Sequence, residues 1–161
     1  MKPILVMLLF VLLLSACAPA ATPTPASPED QAAQALTDFF AALNRGDYAA
    51  ADALFGDDYE VLMGMNSGIP ATDHLALWKH ACQFNGFQCL KIKEIVSSTQ
   101  VYDGDFNLVV HFANADGSLF VRNPCCGEDL TTTPPVSEFT YEVKRNDQGK
   151  FQVMDTPPYV P

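Results

Sequence analysis

The segment Ala35–Phe55, ALTDFFAALNRGDYAAADALF, carries the pattern that decides the fold. Apolar residues recur there at spacings of three and four, which predicts an amphipathic helix. Upstream, Ser27 and Pro28 are typical of a helix N-cap and a first helical position, so we expect the helix to begin there. Gly46 is a typical helix terminator, and Asp47 is suited to cap a second, shorter helix.

Beyond this helical pair the periodicity changes. We expect a short strand over Tyr59–Met65 and a third helix that begins after Thr72 or Asp73 and ends near Gly86. Period-two alternation then predicts strands, the first with one face formed by Leu90, Ile92 and Val96. Further strands are expected at 106–112, 118–122, 139–144 and 151–154, with a loop at 123–135. A helical half followed by a strand half predicts an α+β fold.

The quoted segment also resembles the opening of the NTF2-like (SnoaL-like) superfamily, a cystatin-like α+β group. The matching residues are Asn44, Gly46, Asp47, Tyr48, Ala51, Leu54 and Phe55. The resemblance implies a cone in which about three N-terminal helices pack on a curved antiparallel sheet of four to six strands. Most of the matching residues are packing residues, so the resemblance concerns the fold more than the function.

The N-terminus has the features of a lipoprotein signal. Lys2 precedes an apolar run of eleven residues, Ile4–Leu14. A run of this length suits a secretory signal, because a spanning helix needs about 20 residues. The sequence Leu14-Ser15-Ala16-Cys17 resembles the bacterial lipobox, which implies lipid attachment at Cys17. An ordinary secretory cleavage site is the alternative.

We therefore expect three segments: a signal peptide at 1–16, a lipidated cysteine and proline-rich tether at 17–28, and an NTF2-like domain at 29–161. The protein would be extracytoplasmic and lipid-anchored to the cell membrane, or to the outer membrane if one is present. Removing Lys2 leaves 8 basic and 19 acidic side chains, a net charge of −11. Nucleic-acid binding is therefore not expected, since phosphate contacts need clustered Lys and Arg.

Four cysteines remain after Cys17: Cys82, Cys89, Cys125 and Cys126. An even number in an extracytoplasmic domain indicates disulfides. One connectivity joins Cys82 to Cys89 and leaves a vicinal pair, and the other two cross-link the third helix and the following strand to the 123–135 loop. We favour a cross-link, because a bond between adjacent residues is strained. A four-cysteine zinc site is the rival, but its usual ligand spacing of two to four residues is not present.

Few residues are candidates for chemistry. His111 could act as an acid or base if its strand face lined the cone. The opposite face is more apolar and better suited to the core, which would turn His111 outward: Phe106, Leu108, Val110 and Phe112. We expect solvated roles for His74 and His80, and helix-terminal roles for Asp57 and Asp58, which follow the second helix together with Glu60. Ketosteroid isomerases of the superfamily use a helix-one tyrosine, but this chain has Phe39 and Phe40 there.

Three functional hypotheses follow, with no cofactor or metal ligand assigned. The first is a non-catalytic domain that binds a small apolar ligand or a protein partner. The second is an isomerase- or hydrolase-type enzyme that uses His111 and a carboxylate in the cone. The third is a structural module that forms a homodimer through the open sheet face.

Overall fold

The computed structural model describes residues 26–126 and 131–161. Four helices come first: α1 (Pro28–Arg45), α2 (Tyr48–Leu54), α3 (Glu60–Gly64) and α4 (His74–Gln83). Four strands follow: β1 (Lys91–Tyr102), β2 (Asp105–Ala113), β3 (Phe139–Arg145) and β4 (Phe151–Val153). The strands form one antiparallel sheet in the order β1-β2-β3-β4. The expected α+β fold, with helices before an antiparallel sheet, is confirmed. The expected signal peptide at 1–16, Cys17 and the tether up to residue 25 lie outside the described residues.

The ends of α1 are those that the sequence predicts. The Ser27 Oγ accepts a hydrogen bond from the Asp30 backbone N–H at 3.1 Å, and the Asp30 carboxylate accepts one from the Ser27 N–H at 3.2 Å. This reciprocal pair is a capping box. Gly46 ends the helix with φ 77°, a conformation that glycine adopts without steric cost. The Asp47 side chain then caps α2 through the Ala50 N–H.

One face of α1 packs on one face of the sheet. The buried residues of α1 are Ala32, Ala35, Leu36, Phe39, Phe40, Ala42 and Leu43. Phe40 contacts Phe112 of β2 and Tyr141 of β3 edge-on, with ring centroids 4.7 Å and 4.9 Å apart. Along β2 every second side chain is buried, from Phe106 to Phe112, so the more apolar face forms the core as expected.

β1 departs from the expected alternation. Ile92 and Ile95 are half-buried, whereas Val96 is exposed. The pairing with β2 shifts between Ile92 and Glu94 and again between Ile95 and Ser97. Each such bulge adds a residue to one strand and reverses the faces beyond it. The prediction that Val96 shares a face with Leu90 and Ile92 was therefore wrong, and Ile95 packs against the core with Ile92 instead.

Two short elements also differ from expectation. The segment predicted as a strand, Tyr59–Met65, contains α3 instead. Asp58 accepts a hydrogen bond from the Glu60 N–H, and the buried Asn66 amide donates to the Leu62 carbonyl at 2.7 Å, so side chains satisfy both ends of this helical turn. The expected strand at 118–122 is reduced to isolated bridges, Ala113 with Leu119 and Arg122 with Val136.

The C-terminal segment closes one end of the core. The Gln88 N–H donates to the Pro158 carbonyl at 2.7 Å, and the Val160 N–H donates to the Gly86 carbonyl at 3.0 Å. Gly86 has φ 77°, and a Cβ there would lie 2.2 Å from the Val160 carbonyl oxygen. Glycine is therefore required both by the backbone conformation and by the close approach of the segment.

Candidate functional site

His111 lies on the face of the sheet that points away from α1. Its Nδ1 is 2.8 Å from Glu94 Oε1, and its Nε2 is 3.7 Å from Glu138 Oε1. Glu94 pairs directly across from His111 on β1, and Glu138 precedes β3. A carboxylate is within reach of the imidazole, and His111 points outward, as the apolar opposite face of β2 led us to expect. The position inside the cone that the enzyme hypothesis requires is therefore not the one observed. The cause is the greater apolarity of the opposite β2 face, which the core selects.

Acidic side chains also collect farther along this outer face. Glu142 forms an ion pair with Lys144 at 2.9 Å, and the Glu142 N–H donates to Asp155 Oδ2 at 2.6 Å. Burial raises the pKa of Asp155 above its usual value, and the charges of Glu142 and Asp57 raise it further. The negative charge of Asp57, which was expected as a helix-terminal acid, thus acts on Asp155 at this surface. Asp58 has the helix-terminal role predicted for it.

A second polar cluster joins three elements near the N-terminus of α4. Asp52 of α2 accepts a hydrogen bond from the Tyr59 hydroxyl, and the same Oδ1 is 3.1 Å from His74 Nδ1. The imidazole stacks on the Tyr59 ring with centroids 3.7 Å apart. Asp73, as expected, caps α4 and so sets the direction of His74. We call Asp52, Tyr59 and His74 the rim cluster.

The rim cluster is held against the aromatic core through Tyr59. Burial and the hydrogen bond to Asp52 raise the pKa of Tyr59 far above its usual value, so its hydroxyl stays protonated. The ring of Tyr59 lies edge-on to Phe55 and Trp78, which are buried. The cluster ties α2 and the loop after it to α4.

Sequence reasoning missed the rim cluster. His74 was expected on a solvated helix face, and Asp52 was not singled out. The two residues are 22 positions apart on different helices, so no local spacing relates them. The sequence does predict that Asp47 caps α2 and Asp73 caps α4, and these caps fix where the helices that carry Asp52 and His74 begin. His80 lies against the Phe84 ring with centroids 5.1 Å apart.

Aromatic and aliphatic side chains fill the space between α1 and the sheet. Phe39 contacts Phe40, Phe55 and Trp78, with ring centroids 5.2 to 6.0 Å apart. The largest side chains that are fully buried are Trp78, Phe39, Phe40, Phe112, Leu36, Leu43, Leu62, Leu77, Leu108, Val110, Val143 and Val153. Burial and the charge of Asp155 raise the pKa of Tyr141 far above its usual value, so this core hydroxyl is neutral. Within the described residues, the space between α1 and the sheet is therefore packed with side chains of the protein itself.

Open grooves lie at the end of the molecule where α1 and α4 terminate. One groove, of about 610 Å³, runs between 43–48 and 82–90. A neighbouring groove of about 390 Å³ is lined by Met65, Phe84, Tyr159 and others. Phe84 is 68% exposed, and Met65 and Tyr159 are also exposed. We call Met65, Phe84 and Tyr159 the apolar end patch.

The disulfide differs from the one we favoured. Cys82 bonds to Cys89, with Cα atoms 5.5 Å apart, so the predicted cross-link to the 123–135 loop was wrong. The end of α4 turns back at once through Gly86, which brings the two cysteines together. This bond also excludes the four-cysteine zinc site. Cys125 and Cys126 lie in the loop after Arg122, and Cys126 is exposed.

Within residues 26–126 and 131–161, no group of three or more His, Cys, Asp or Glu side chains is arranged to hold a metal ion. None of the helices described there is long and apolar enough to cross a membrane.

Comparison with solved structures gives a structural likeness. No family profile matches the chain, and no curated protein matches it. Among solved structures the chain is similar to a candidate dehydratase of the NTF2-like family from Streptomyces avermitilis, with a TM-score of 0.42 and 14% identity. The match covers 85% of this chain and 100% of that one. A likeness of this size carries no argument about activity.

The rim cluster predicts a specific loss of stability. Replacing Asp52 with Ala removes the acceptor of the part-buried Tyr59 hydroxyl, so the free energy of unfolding should fall by about 1–3 kcal/mol. The matched control, Asp58→Ala, removes one exposed hydrogen bond to the Glu60 N–H and should cost less than about 1 kcal/mol. Urea unfolding of both variants measures the difference. Equal losses would show that the rim cluster adds nothing to the fold.

Proposed function

We propose that the protein is a lipid-anchored, extracytoplasmic binding domain that has no catalytic activity and engages a protein partner with its outer surface. The observation that carries the proposal is the filled interior. In a cone of this kind a small substrate or ligand would lie between the helix and the sheet, where Phe39, Phe40 and Trp78 pack against each other. Binding is therefore assigned to the exterior.

The polar groups support a non-catalytic role. His111 is part-buried, but the Glu94 and Glu138 side chains beside it are 59% and 62% exposed, so water reaches the two carboxylates that an acid–base site would have to hold in place. In the rim cluster Asp52 Oδ1 already accepts from the Tyr59 hydroxyl and lies 3.1 Å from His74 Nδ1, so this carboxylate is engaged by the protein itself. Neither cluster therefore combines an available acid or base with an enclosed pocket, which an acid–base site needs.

The apolar end patch is the surface best suited to a partner. Exposed aromatic and methionine side chains beside a groove are the features that recur at the centres of protein interfaces. Phe84 contributes a large exposed ring held by the end of α4, and the Cys82–Cys89 bond closes the loop beside it. A partner that inserts an apolar side chain into the groove would remove this surface from water.

The outer sheet face favours a second candidate, a homodimer. Val96, Val101 and Tyr102 of β1 are exposed, and Tyr102 is 72% exposed. Apolar side chains on an uncovered sheet face are stabilised when another layer covers them. A second copy of the chain is the partner proposed for this face.

The filled interior leads to a prediction about small ligands. The wild-type protein should show no saturable binding of benzene or indole in nuclear magnetic resonance titrations. Phe40→Ala should lower stability by about 3–5 kcal/mol and open an apolar cavity that takes up such a probe. Circular dichroism checks that the variant is folded. Saturable binding to the wild-type protein, with shifts in the Phe39 and Tyr141 resonances, would contradict the filled interior.

The apolar end patch leads to a prediction about partners. A photoreactive amino acid replaces Phe84 or, as a matched exposed control, Tyr102 in the full chain on cells. Position 84 should give a discrete crosslinked product with another protein. A product with a second copy at position 102 alone would support the homodimer instead. Equal products at both positions, or none at either, would contradict a specific surface at the apolar end patch.

The lipid anchor has its own test, because it concerns Cys17 alone. Cells that express the full chain are grown with an alkyne-tagged fatty acid. The wild-type chain should carry the label and should fractionate with membranes, since two acyl chains give stable anchoring. Cys17→Ala should lose the label, and Cys126→Ala should keep it. Labelling that persists in Cys17→Ala would contradict lipid attachment at this residue.

A further inference from the structure

The chain has two kinds of cysteine pair. The Cα atoms of Cys82 and Cys89 are 5.5 Å apart, within the ordinary range for a disulfide. Cys125 and Cys126 are adjacent, and the Cα atoms of adjacent residues lie only about 3.8 Å apart across a trans peptide bond. A disulfide between adjacent residues is therefore strained, and strained disulfides are the readily reduced ones. The two pairs should differ in how easily they exchange.

The position of the adjacent pair makes it accessible. Cys126 is exposed, and Cys125 lines an open cleft of about 300 Å³ that also contains Arg122 and Tyr159. Cys126 has φ 61°, the one positive φ of a non-glycine residue in the described ranges. This conformation is strained for a side chain other than that of glycine, so the local backbone is not at its minimum. The charge of Arg122 favours the approach of an anionic molecule.

The fold separates this loop from the core. The Arg122 N–H donates to the Val136 carbonyl at 2.8 Å, and the Val136 N–H donates back at 2.9 Å. These two bonds hold the arms of the loop together before β3 begins at Phe139. Cys125 and Cys126 therefore lie beyond this bridge and outside the paired strands. A change of their backbone would alter the cleft that Cys125 shares with Tyr159 of the C-terminal segment.

We propose that Cys125 and Cys126 form a reversible dithiol–disulfide site that exchanges with a small anionic disulfide of the oxidised glutathione type. The exposed Cys126 thiolate attacks one sulfur of the small disulfide, forms a mixed disulfide and releases one thiolate. The Cys125 thiolate then attacks Cys126 Sγ, closes the vicinal bond and releases the second thiolate. The protein loses two electrons and two protons, and the small disulfide becomes two thiols.

The test follows the two pairs in one sample. The full chain in detergent is equilibrated with glutathione buffers of increasing oxidised fraction, quenched with acid, alkylated and digested. In the most reducing buffer the peptide with Cys125 and Cys126 should carry two alkyl labels. As the oxidised fraction rises, mass spectrometry should show it replaced by an unlabelled peptide that is two hydrogens lighter than the dithiol form. The Cys82–Cys89 bond should stay oxidised throughout. Alkyl labels that remain on both residues in the most oxidising buffer would overturn the proposal.

Serine variants test the order of attack. Cys125→Ser should trap glutathione on Cys126, because the resolving thiol is missing. Cys126→Ser should collect glutathione more slowly, since Cys125 is less exposed. The double variant Cys82→Ser/Cys89→Ser is the control, and its adjacent pair should still close. Mixed disulfides without closure in the wild-type chain, or equal trapping at both positions, would contradict the site as described.

Discussion

Phe40 of α1 lies edge-on against Phe112 and Tyr141 of the sheet, and the rest of the structure depends on this contact. Burying one large aromatic side chain contributes about 1.5–3 kcal/mol, and the edge-on geometry adds to it. Because the contact fills the centre, α1 cannot move away from the sheet without opening a void. The same contact decides which face of β2 is inside, and so turns His111 outward.

Because the interior is packed, the polar groups and the apolar side chains that could contact other molecules lie at the surface. Polar groups that could react lie on the outer sheet face or in the rim cluster, where they are paired with each other. The exposed apolar side chains lie at the end of the molecule beside the Cys82–Cys89 bond. The 123–126 segment belongs to neither β2 nor β3, so the exchange proposed for Cys125 and Cys126 would take place outside the paired strands.

The sequence predicts what local rules decide. Both ends of α1 follow from Ser27 and Gly46, because a capping oxygen and a left-handed glycine act within a few residues. Sequence patterns do not predict contacts between residues that are far apart in the chain. Ile95 rather than Val96 packs against the core because bulges change the register with β2, and Cys82 pairs with Cys89 because the chain turns at Gly86. The contact of Asp52 with His74 depends on how two helices pack, which no spacing reveals.

Within the described residues, the side chains of α1 and of the sheet leave no room for a ligand between them. Crystals of the protein under xenon pressure probe this packing, since xenon occupies apolar cavities that water leaves empty. We expect no xenon atom between the aromatic side chains of α1 and those of β2 and β3. An ordered xenon atom in contact with Phe39, Phe40 and Tyr141 would show that the interior has space for a ligand.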